Sequence, residues 1–286
     1  MSSLIDIDPQ EFLVALGRRP QWVNHHLVGH PLLSLEALGE LADRMPADRI
    51  ERQRTDHDLV LPGGGNPRGG VEGPGDLVRG IEDSNAWVVL WNVENDRQYN
   101  DLLNEILDPI ADLLGDREGG MCRREAFVFV SSAASVTPVH FDPEHNFLLQ
   151  IRGVKQMHIG QFGSTEDGQR EFERYYIGGH RNIELMPQEK DVFRLEPGKG
   201  VYVPSHAPHW VTNEGQACVS LSITFHTRAI LRRANLHVVN HHLRRLGMSP
   251  SPPDQSTAVD GVKLAFHRTA RAARQLHVRI TQSRQG

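Results

Sequence analysis

Two residues that stand two positions apart in a β-rich stretch place the strongest constraint on what this chain can fold into. His140 and Asp142 flank a single phenylalanine, and residues two apart on a strand point to the same side of a sheet. His209 follows in a later β-rich stretch, residues 200–210. A fold that brings these segments together places two imidazoles and one carboxylate on one surface.

This donor set favours a particular class of metal site. Two histidines and one carboxylate on one face of an octahedral ion leave the opposite positions open, which is the arrangement of non-haem Fe(II) oxygenases. A His-x-Asp pair alone is common, so the prediction depends on the third ligand and on the surrounding sequence. The sequence predicts that His140, Asp142 and His209 bind Fe(II) and form the catalytic centre, with His206 as the alternative to His209.

The second half of the chain has the pattern of an all-β domain. From residue 126 onward, short apolar runs are separated by Gly and Pro, as in double-sheet jelly rolls. Arg152-Gly153 joins the apolar runs 147–151 and 154–159 and predicts a β-hairpin. We expect a mainly β fold, a double-stranded β-helix of the cupin type, with an N-terminal elaboration of helices and loops and with C-terminal helices.

Two sequence blocks carry a family resemblance. The first contains Thr137-Pro-x-His-x-Asp142, an Asn four residues after Asp142 and Gly-x-Lys ending thirteen residues after it; the second is Gly200-Val-Tyr-Val-Pro-Ser-His-Ala-Pro-His-Trp210. Over roughly residues 120–226, the chain resembles the JmjC-type, cupin-like Fe(II)- and 2-oxoglutarate-dependent oxygenases. The branch that it resembles is that of the hypoxia-inducible-factor asparaginyl hydroxylase. The resemblance implies His140, Asp142 and His209 on iron, and the Pro-His-x-Val setting of His209 favours it over His206.

The resemblance also implies a 2-oxoglutarate site formed by Thr137, Asn146 and Lys155. The residues support this independently, because Lys155 shares one strand face with Met157 and Ile159. A lysine on an inward apolar face is costly unless it pairs with an anion, and the distal carboxylate of 2-oxoglutarate is such an anion. The alternative is that Lys155 extends to solvent from a strand end.

The resemblance implies oxidative decarboxylation of 2-oxoglutarate to succinate and CO2, most simply coupled to hydroxylation of a protein, peptide or small-molecule substrate. Demethylation by hydroxylation is the nearest variant. Two other classes stay open: a metal-binding cupin without 2-oxoglutarate chemistry, and a ligand-sensing regulatory protein. At a strand position where the asparaginyl hydroxylase has an Asn near 2-oxoglutarate, this chain has Thr224, which places transfer of the asparaginyl specificity in question.

The chain divides by composition into three regions. Residues 1–119 form the N-terminal elaboration, residues 120–226 the barrel, and residues 227–286 a basic helical region. A glycine-rich segment, residues 63–75, matches no phosphate-binding motif and predicts a loop, with a lid over the site as the functional alternative. Residues 161–190 predict a long polar excursion between strands, which forms either a loop at the barrel rim or a substrate loop.

Charge separates the C-terminal region from the rest. Residues 227–286 hold eleven Lys or Arg against Asp254 and Asp260, a net of +9, whereas the whole chain carries −5. Residues 229–246 and 259–280 have helical apolar spacing, and an amphipathic pair of this kind often packs against a second copy. We expect a homodimer through the C-terminal helices. Binding to nucleic acid or to a membrane surface is less favoured because the arginines are interleaved with apolar residues.

Cysteine content and the hydropathy pattern indicate the compartment. Two cysteines, Cys122 and Cys218, provide no disulfide framework. The N-terminus has no secretory signal pattern, and the longest apolar runs are too short to span a bilayer. The sequence predicts a cytoplasmic protein with no membrane span.

Overall fold

A computed structural model describes residues 3–54, 73–133, 135–184 and 186–282 of the chain. Most of the glycine-rich segment 63–75, up to residue 72, lies outside these residues, so its predicted role as loop or lid stays a prediction. The chain separates into two compact units. Residues 1–163 with 181–228 form the first unit, and residues 164–180 with 229–286 form the second. The division into three regions at residues 119 and 226 stays an interpretation of the sequence.

The first half of the chain alternates short strands with helices, whereas the second half is mostly strand until the C-terminal helices. The first half contains β1 (Ile5–Asp6), α1 (Pro9–Ala15), β2 (Gln21–His25), α2 (Leu35–Arg44), β3 (Ile50–Arg54), α3 (Pro74–Arg79), β4 (Ala86–Leu90) and α4 (Arg97–Leu114). The second half contains β5 (Met121–Ser131), β6 (Val136–His140), β7 (His145–Arg152), β8 (Lys155–Gln161), α5 (Thr165–Tyr176), β9 (Gln188–Leu195), β10 (Lys199–Val203), β11 (His209–Asn213), β12 (Cys218–Thr227), α6 (Arg228–Arg245) and α7 (Thr257–Gln282).

The first unit is built on two antiparallel sheets. Within the described residues, the larger sheet has eight strands in the order β1-β2-β10-β7-β12-β5-β4-β3, and the smaller has four in the order β6-β11-β8-β9. The predicted fold class is confirmed: the protein is mainly β with a cupin-like double-sheet fold, and helices lie at its N- and C-terminal regions. The short N-terminal strands extend both edges of the larger sheet.

Alternation along β7 explains how the larger sheet is buried on both faces. Phe147, Leu149 and Ile151 belong to the main core, which also includes apolar residues of α1, α2 and α4. Leu148 points the other way and joins a second cluster between the sheets, with Met157 and Val201 among its members. Because successive residues alternate in direction, one strand supports both the N-terminal helices and the barrel interior.

The predicted hairpin at Arg152-Gly153 is wrong. β7 pairs with β10 and β12 in the larger sheet, whereas β8 pairs with β9 and β11 in the smaller one. Gly153 has a φ of 74°, and an added Cβ would lie 2.4 Å from the carbonyl oxygen of Ala217. The tight turn therefore passes the chain from one sheet to the other, since a hairpin would place both apolar runs in one sheet.

The N-terminal helices follow their sequence patterns, with one difference. The Ser34 hydroxyl accepts a hydrogen bond from the amide of Ala37 and caps α2. The sequence predicts that the helix beginning near Tyr99 bends or restarts at Pro109, but α4 runs as one helix through this proline. Its buried stripe, which includes Leu103, Ile106 and Leu107, packs into the main core.

The second unit consists of α5, α6 and α7. The polar excursion at residues 161–190 is therefore not a simple loop, because it contains the twelve-residue helix α5, capped by Ser164. Within this unit, Arg244 of α6 donates to Glu173 of α5 at 3.0 Å, and Arg232 of α6 pairs with the fully buried Asp260 of α7. None of the described helices combines the length and apolar character that a membrane crossing requires.

Candidate metal centre and co-substrate pocket

Three predicted ligands converge at the open end of the smaller sheet. His140 ends β6, His209 begins β11, and the two residues are directly paired in the register of these strands. Asp142 lies just beyond β6. The donor atoms of all three side chains lie within 4.8 Å of one another, and all three residues are buried. Asp142 Oδ2 is 3.4 Å from His209 Nε2, and Oδ1 is 3.9 Å from His140 Nε2.

Backbone carbonyls orient both imidazoles in the same way. Nδ1 of His140 donates to the carbonyl oxygen of Pro138 at 2.8 Å, and Nδ1 of His209 donates to that of Ala207 at 2.9 Å. Each hydrogen bond orients its ring so that Nε2 faces the centre, as outer-shell carbonyls do for metal-binding histidines. Burial and the nearby His209 lower the pKa of His140 to about 3, so His140 is neutral at neutral pH.

The carboxylate of Asp142 is ionised and held from two sides. Burial alone would raise its pKa, but the Arg181 guanidinium and the hydrogen bond with His209 bring it well below the ordinary value. Arg181 Nη1 lies 2.7 Å from Oδ1, and the Asn146 amide donates to Oδ2 at 3.4 Å. The centre therefore has the negative charge that a divalent cation needs.

The alternative ligand His206 is placed differently from His209. Its backbone amide donates to the carbonyl oxygen of Asp142 at 2.7 Å, and its ring lies near Phe141, with centroids 5.9 Å apart. His206 has a φ of 66°, which fits a tight loop before β11. Among the described residues, the group of donors that could hold one ion contains His209 and not His206.

Lys155 lies inside the barrel and not at its surface. It is 4 % exposed, and Met157 and Ile159 on the same face of β8 are buried with it. Burial lowers the pKa of Lys155, while the neighbouring Cys218 thiol opposes this shift. No carboxylate pairs with Lys155 within the part of the chain that the structure describes. A buried cation of this kind is suited to an anionic ligand.

Thr137 and Asn146 lie on either side of the same interior. Thr137 is directly opposite Val211 of β11, which in turn is opposite Met157 of β8, so its side chain shares the inward face with Lys155. Asn146 accepts a hydrogen bond from Ser222 at 2.9 Å as well as donating to Asp142. The structure therefore brings all six predicted site residues to one barrel interior.

Thr224 adds a polar atom that the surrounding protein leaves unsatisfied. It is paired with Asn146 in the register of β12 and β7 and is 2 % exposed. Its Oγ1 has no hydrogen-bond partner among the described residues. Buried hydroxyls are normally satisfied, so this one is available to a ligand or water in the interior.

Three residues near the centre were not predicted from the sequence. Glu144 follows Asp142 in the loop, and burial together with the Asp142 carboxylate raises its pKa to about 8. His226 Nε2 lies 3.8 Å from Glu144 Oε1. Arg181 comes from the polar excursion, which has no periodic pattern. Only proximity in the fold reveals these residues, since none of them belongs to a recognisable motif.

The class of domain follows from this fold and from a family comparison. A family model described as a JmjC domain matches residues 107–232, a range that includes all six predicted site residues. Residues 107–232 are therefore similar to a JmjC domain, and they lie in a cupin-like double-sheet fold.

Solved structures of Escherichia coli YcfD share the fold over most of this chain. An X-ray structure of YcfD is 15% identical, with a TM-score of 0.55, and the match covers 94% of this chain and 69% of that one. A structure described as the ribosomal oxygenase YcfD is 13% identical, with a TM-score of 0.54 and coverages of 94% and 68%. A YcfD complex with cobalt and 2-oxoglutarate is 14% identical, with a TM-score of 0.53 and coverages of 93% and 67%. No curated protein matches the chain.

Proposed function

We propose that this protein is an Fe(II)- and 2-oxoglutarate-dependent oxygenase that hydroxylates a protein, peptide or small-molecule substrate. The observation that carries the proposal is the convergence of His140, Asp142 and His209 in a barrel that also buries Lys155, which has no carboxylate partner among the described residues. The match to a JmjC domain supports it, as does a solved YcfD structure that holds cobalt and 2-oxoglutarate in the same fold.

The residues fit both the metal and the co-substrate. Two imidazoles whose Nε2 atoms face the centre and one ionised carboxylate make the donor set that suits non-haem Fe(II). The hydroxyl of Thr224 has no hydrogen-bond partner among the described residues, and the buried Lys155 has no carboxylate partner among them. A dicarboxylate that extends inward from the metal would satisfy both groups.

Each side chain then has a defined task. His140 and His209 would hold Fe(II) through Nε2, and Asp142 would hold it through a carboxylate oxygen. Lys155 would pair with the distal carboxylate of 2-oxoglutarate, with the Thr137 hydroxyl beside it and Asn146 near the metal-binding end. When bound, Fe(II) and 2-oxoglutarate supply the oxidising chemistry, with succinate and CO2 as products. The apolar residues around Met157 and Val201 would limit the access of water to the bound groups.

The finer assignments follow from the motifs rather than from the fold. Hydroxylation is the simplest outcome for this site, and demethylation by hydroxylation would use the same residues. On the likeness of the two sequence blocks, the proposed relationship is to the asparaginyl hydroxylase branch. A protein substrate is favoured because YcfD, which has the same fold, is described as a ribosomal oxygenase.

Formation of succinate tests the proposal directly. The purified protein would be incubated in air with Fe(II), ascorbate and 2-oxoglutarate, and succinate would be quantified by NMR. We expect slow formation of succinate even without a substrate, and acceleration by a true substrate. A protein that binds metal but never consumes 2-oxoglutarate would instead be a metal-binding cupin of another kind, or a ligand sensor.

We also propose that the protein forms a homodimer through its C-terminal helices. In the second unit, α6 and α7 border an apolar groove of about 560 Å³ that includes Leu243, Leu246 and Phe266. Leu246 is 78 % exposed and Phe266 is 67 % exposed. Large exposed apolar surfaces of this kind usually mark an interaction site. A second copy would bring an identical groove, which suits a symmetric interface.

A further inference from the structure

We propose that Arg181 is a positioning residue that makes Asp142 bind the metal through one oxygen only and so keeps a coordination position open. This inference rests on the proposed function. Arg181 belongs to none of the sequence motifs, and it reaches the centre from the far end of the polar excursion, in the same compact unit as the barrel.

The backbone of Arg181 is attached to the strand that delivers His140. The carbonyl oxygen of Arg181 accepts from the amide of Phe141 at 3.3 Å, and the amide of Ile183 donates to the carbonyl oxygen of Val139 at 3.1 Å. Between them, Asn182 forms an antiparallel bridge with His140. Residues 181–183 therefore extend the edge of the smaller sheet beside β6, and this fixes the position from which the arginine side chain starts.

The guanidinium of Arg181 is restrained at two further points. Nη1 lies 2.7 Å from Asp142 Oδ1, and Cζ lies 5.2 Å from the ring centroid of Trp91, in a cation–π contact. Trp91 is itself held, because its Nε1 donates to Glu51 at 3.1 Å and its ring packs edge-on against Phe127 at 5.0 Å. The Arg181–Asp142 pair therefore differs from a solvated surface ion pair, because its arginine side chain is held in one position.

The two oxygens of Asp142 are thereby made unequal. Oδ1 is held by the charged guanidinium of Arg181 at 2.7 Å, whereas Oδ2 has only the longer contacts of the Asn146 amide and His209 Nε2, both at 3.4 Å. A carboxylate with two free oxygens can chelate a metal through both. An octahedral ion has six positions, and three protein donors with a bidentate 2-oxoglutarate leave one for O2. If Asp142 supplied a second oxygen, that last position would be lost.

Nitric oxide, used as a stand-in for O2 on the anaerobic Fe(II)·2-oxoglutarate protein, reports whether this position is open. We would compare the parent with Arg181→Gln, which removes the charge and the guanidinium donors, and with Arg181→Lys, which keeps the charge but not the guanidinium. Trp91→Phe would weaken the stacking without touching Asp142. Arg194→Gln is the matched control, because Arg194 is an exposed arginine with carboxylate partners of its own.

We expect Arg181→Gln to bind Co(II) still, while its nitric oxide binding falls about 10- to 100-fold, which is the size of effect that loss of an outer-shell partner has on a metal site. Arg181→Lys and Trp91→Phe should lie between the two, and Arg194→Gln should match the parent. If Arg181→Gln does not fold, as judged by circular dichroism, the two milder variants decide the matter.

Three results would overturn the inference. Parent-like binding of nitric oxide by Arg181→Gln, or by both milder variants if Arg181→Gln does not fold, would show that Asp142 needs no such restraint. Loss of Co(II) binding in Arg181→Gln as complete as in Asp142→Ala would assign Arg181 to assembly of the site instead. If the parent itself binds neither Co(II) nor 2-oxoglutarate, the proposed function fails, and this inference fails with it.

Discussion

Nε2 of His209 lies 3.4 Å from Oδ2 of Asp142, although one residue begins β11 and the other lies beyond the end of β6. The pairing of β6 with β11 accounts for this approach, because it places His209 directly opposite His140. Two ligand residues are thus fixed by strand register, and the third is fixed by the short loop that follows β6. A centre built in this way is assembled by the fold before any ligand binds.

Lys155→Met should weaken the binding of 2-oxoglutarate without harming the fold. The substitution keeps an apolar chain of similar length in the buried position but removes the cation that would face the distal carboxylate. A charge-assisted hydrogen bond contributes about 1.5–3 kcal/mol, which corresponds to a rise in Kd of roughly 10- to 100-fold. Isothermal titration of the Co(II)-loaded protein with 2-oxoglutarate measures this change.

Lys190→Met is the matched control for Lys155→Met, because Lys190 lies on the exposed part of β9. Its affinity for 2-oxoglutarate should equal that of the parent. If Lys155→Met also bound the co-substrate as tightly as the parent, another residue would hold the distal carboxylate.

Lys155 should also give the apo-protein a characteristic dependence of stability on pH. Burial lowers the pKa of Lys155 below its ordinary value of 10.5, so the unfolded chain binds more protons than the native chain in the window between the lowered pKa and 10.5. The free energy of unfolding therefore rises with pH across this window, at most by about 1.4 kcal/mol per pH unit.

Urea denaturation of the parent and of Lys155→Met, carried out in parallel from neutral pH to pH 10, isolates this contribution. The variant should be the more stable protein at neutral pH, and its advantage should shrink as the pH increases. Parallel curves for the two proteins would show that Lys155 reaches solvent.

Phe266→Glu should convert a dimer to a monomer. A carboxylate in the apolar groove of the second unit would be buried without a partner in the proposed interface, which costs several kcal/mol. Sedimentation velocity measures the change, with Val14→Glu as the control, because Val14 is similarly exposed (59 %) but lies on α1. A full-length parent that sediments as a monomer contradicts the proposed dimer. An unchanged dimer in a chain ending at Met248 would place the interface on α6.

The predictable part of the structure follows from strand periodicity. The two-residue spacing of His140 and Asp142 is consistent with their convergence, and the alternation along β8 indicated that Lys155 points inward with Met157. The same local pattern could not reveal which strands pair. The link at Gly153 has the composition of a hairpin turn. β8 nevertheless pairs with strands of the other sheet, because packing the two sheets face to face buries the apolar faces of both strands.

The unpredicted part of the site depends on contacts between distant segments. Arg181 contacts Trp91 because residues 181–183 pair with β6. The periodicity of the sequence does not predict this pairing. Glu144 is an ordinary loop residue in the sequence, and its raised pKa arises from burial beside Asp142. The place of such side chains in the site can be recognised only from their neighbours in the folded chain.

Anaerobic titration of the apo-protein with Co(II) and then with 2-oxoglutarate, followed by visible absorption, tests the central claim most directly. The parent should bind one Co(II) and should bind 2-oxoglutarate only once the metal is present. Asp142→Ala should lose both, whereas Asp191→Ala, at an exposed position of β9, should behave as the parent. Binding of 2-oxoglutarate that does not depend on metal, or Co(II) binding that survives Asp142→Ala unchanged, would contradict a metal centre formed by His140, Asp142 and His209.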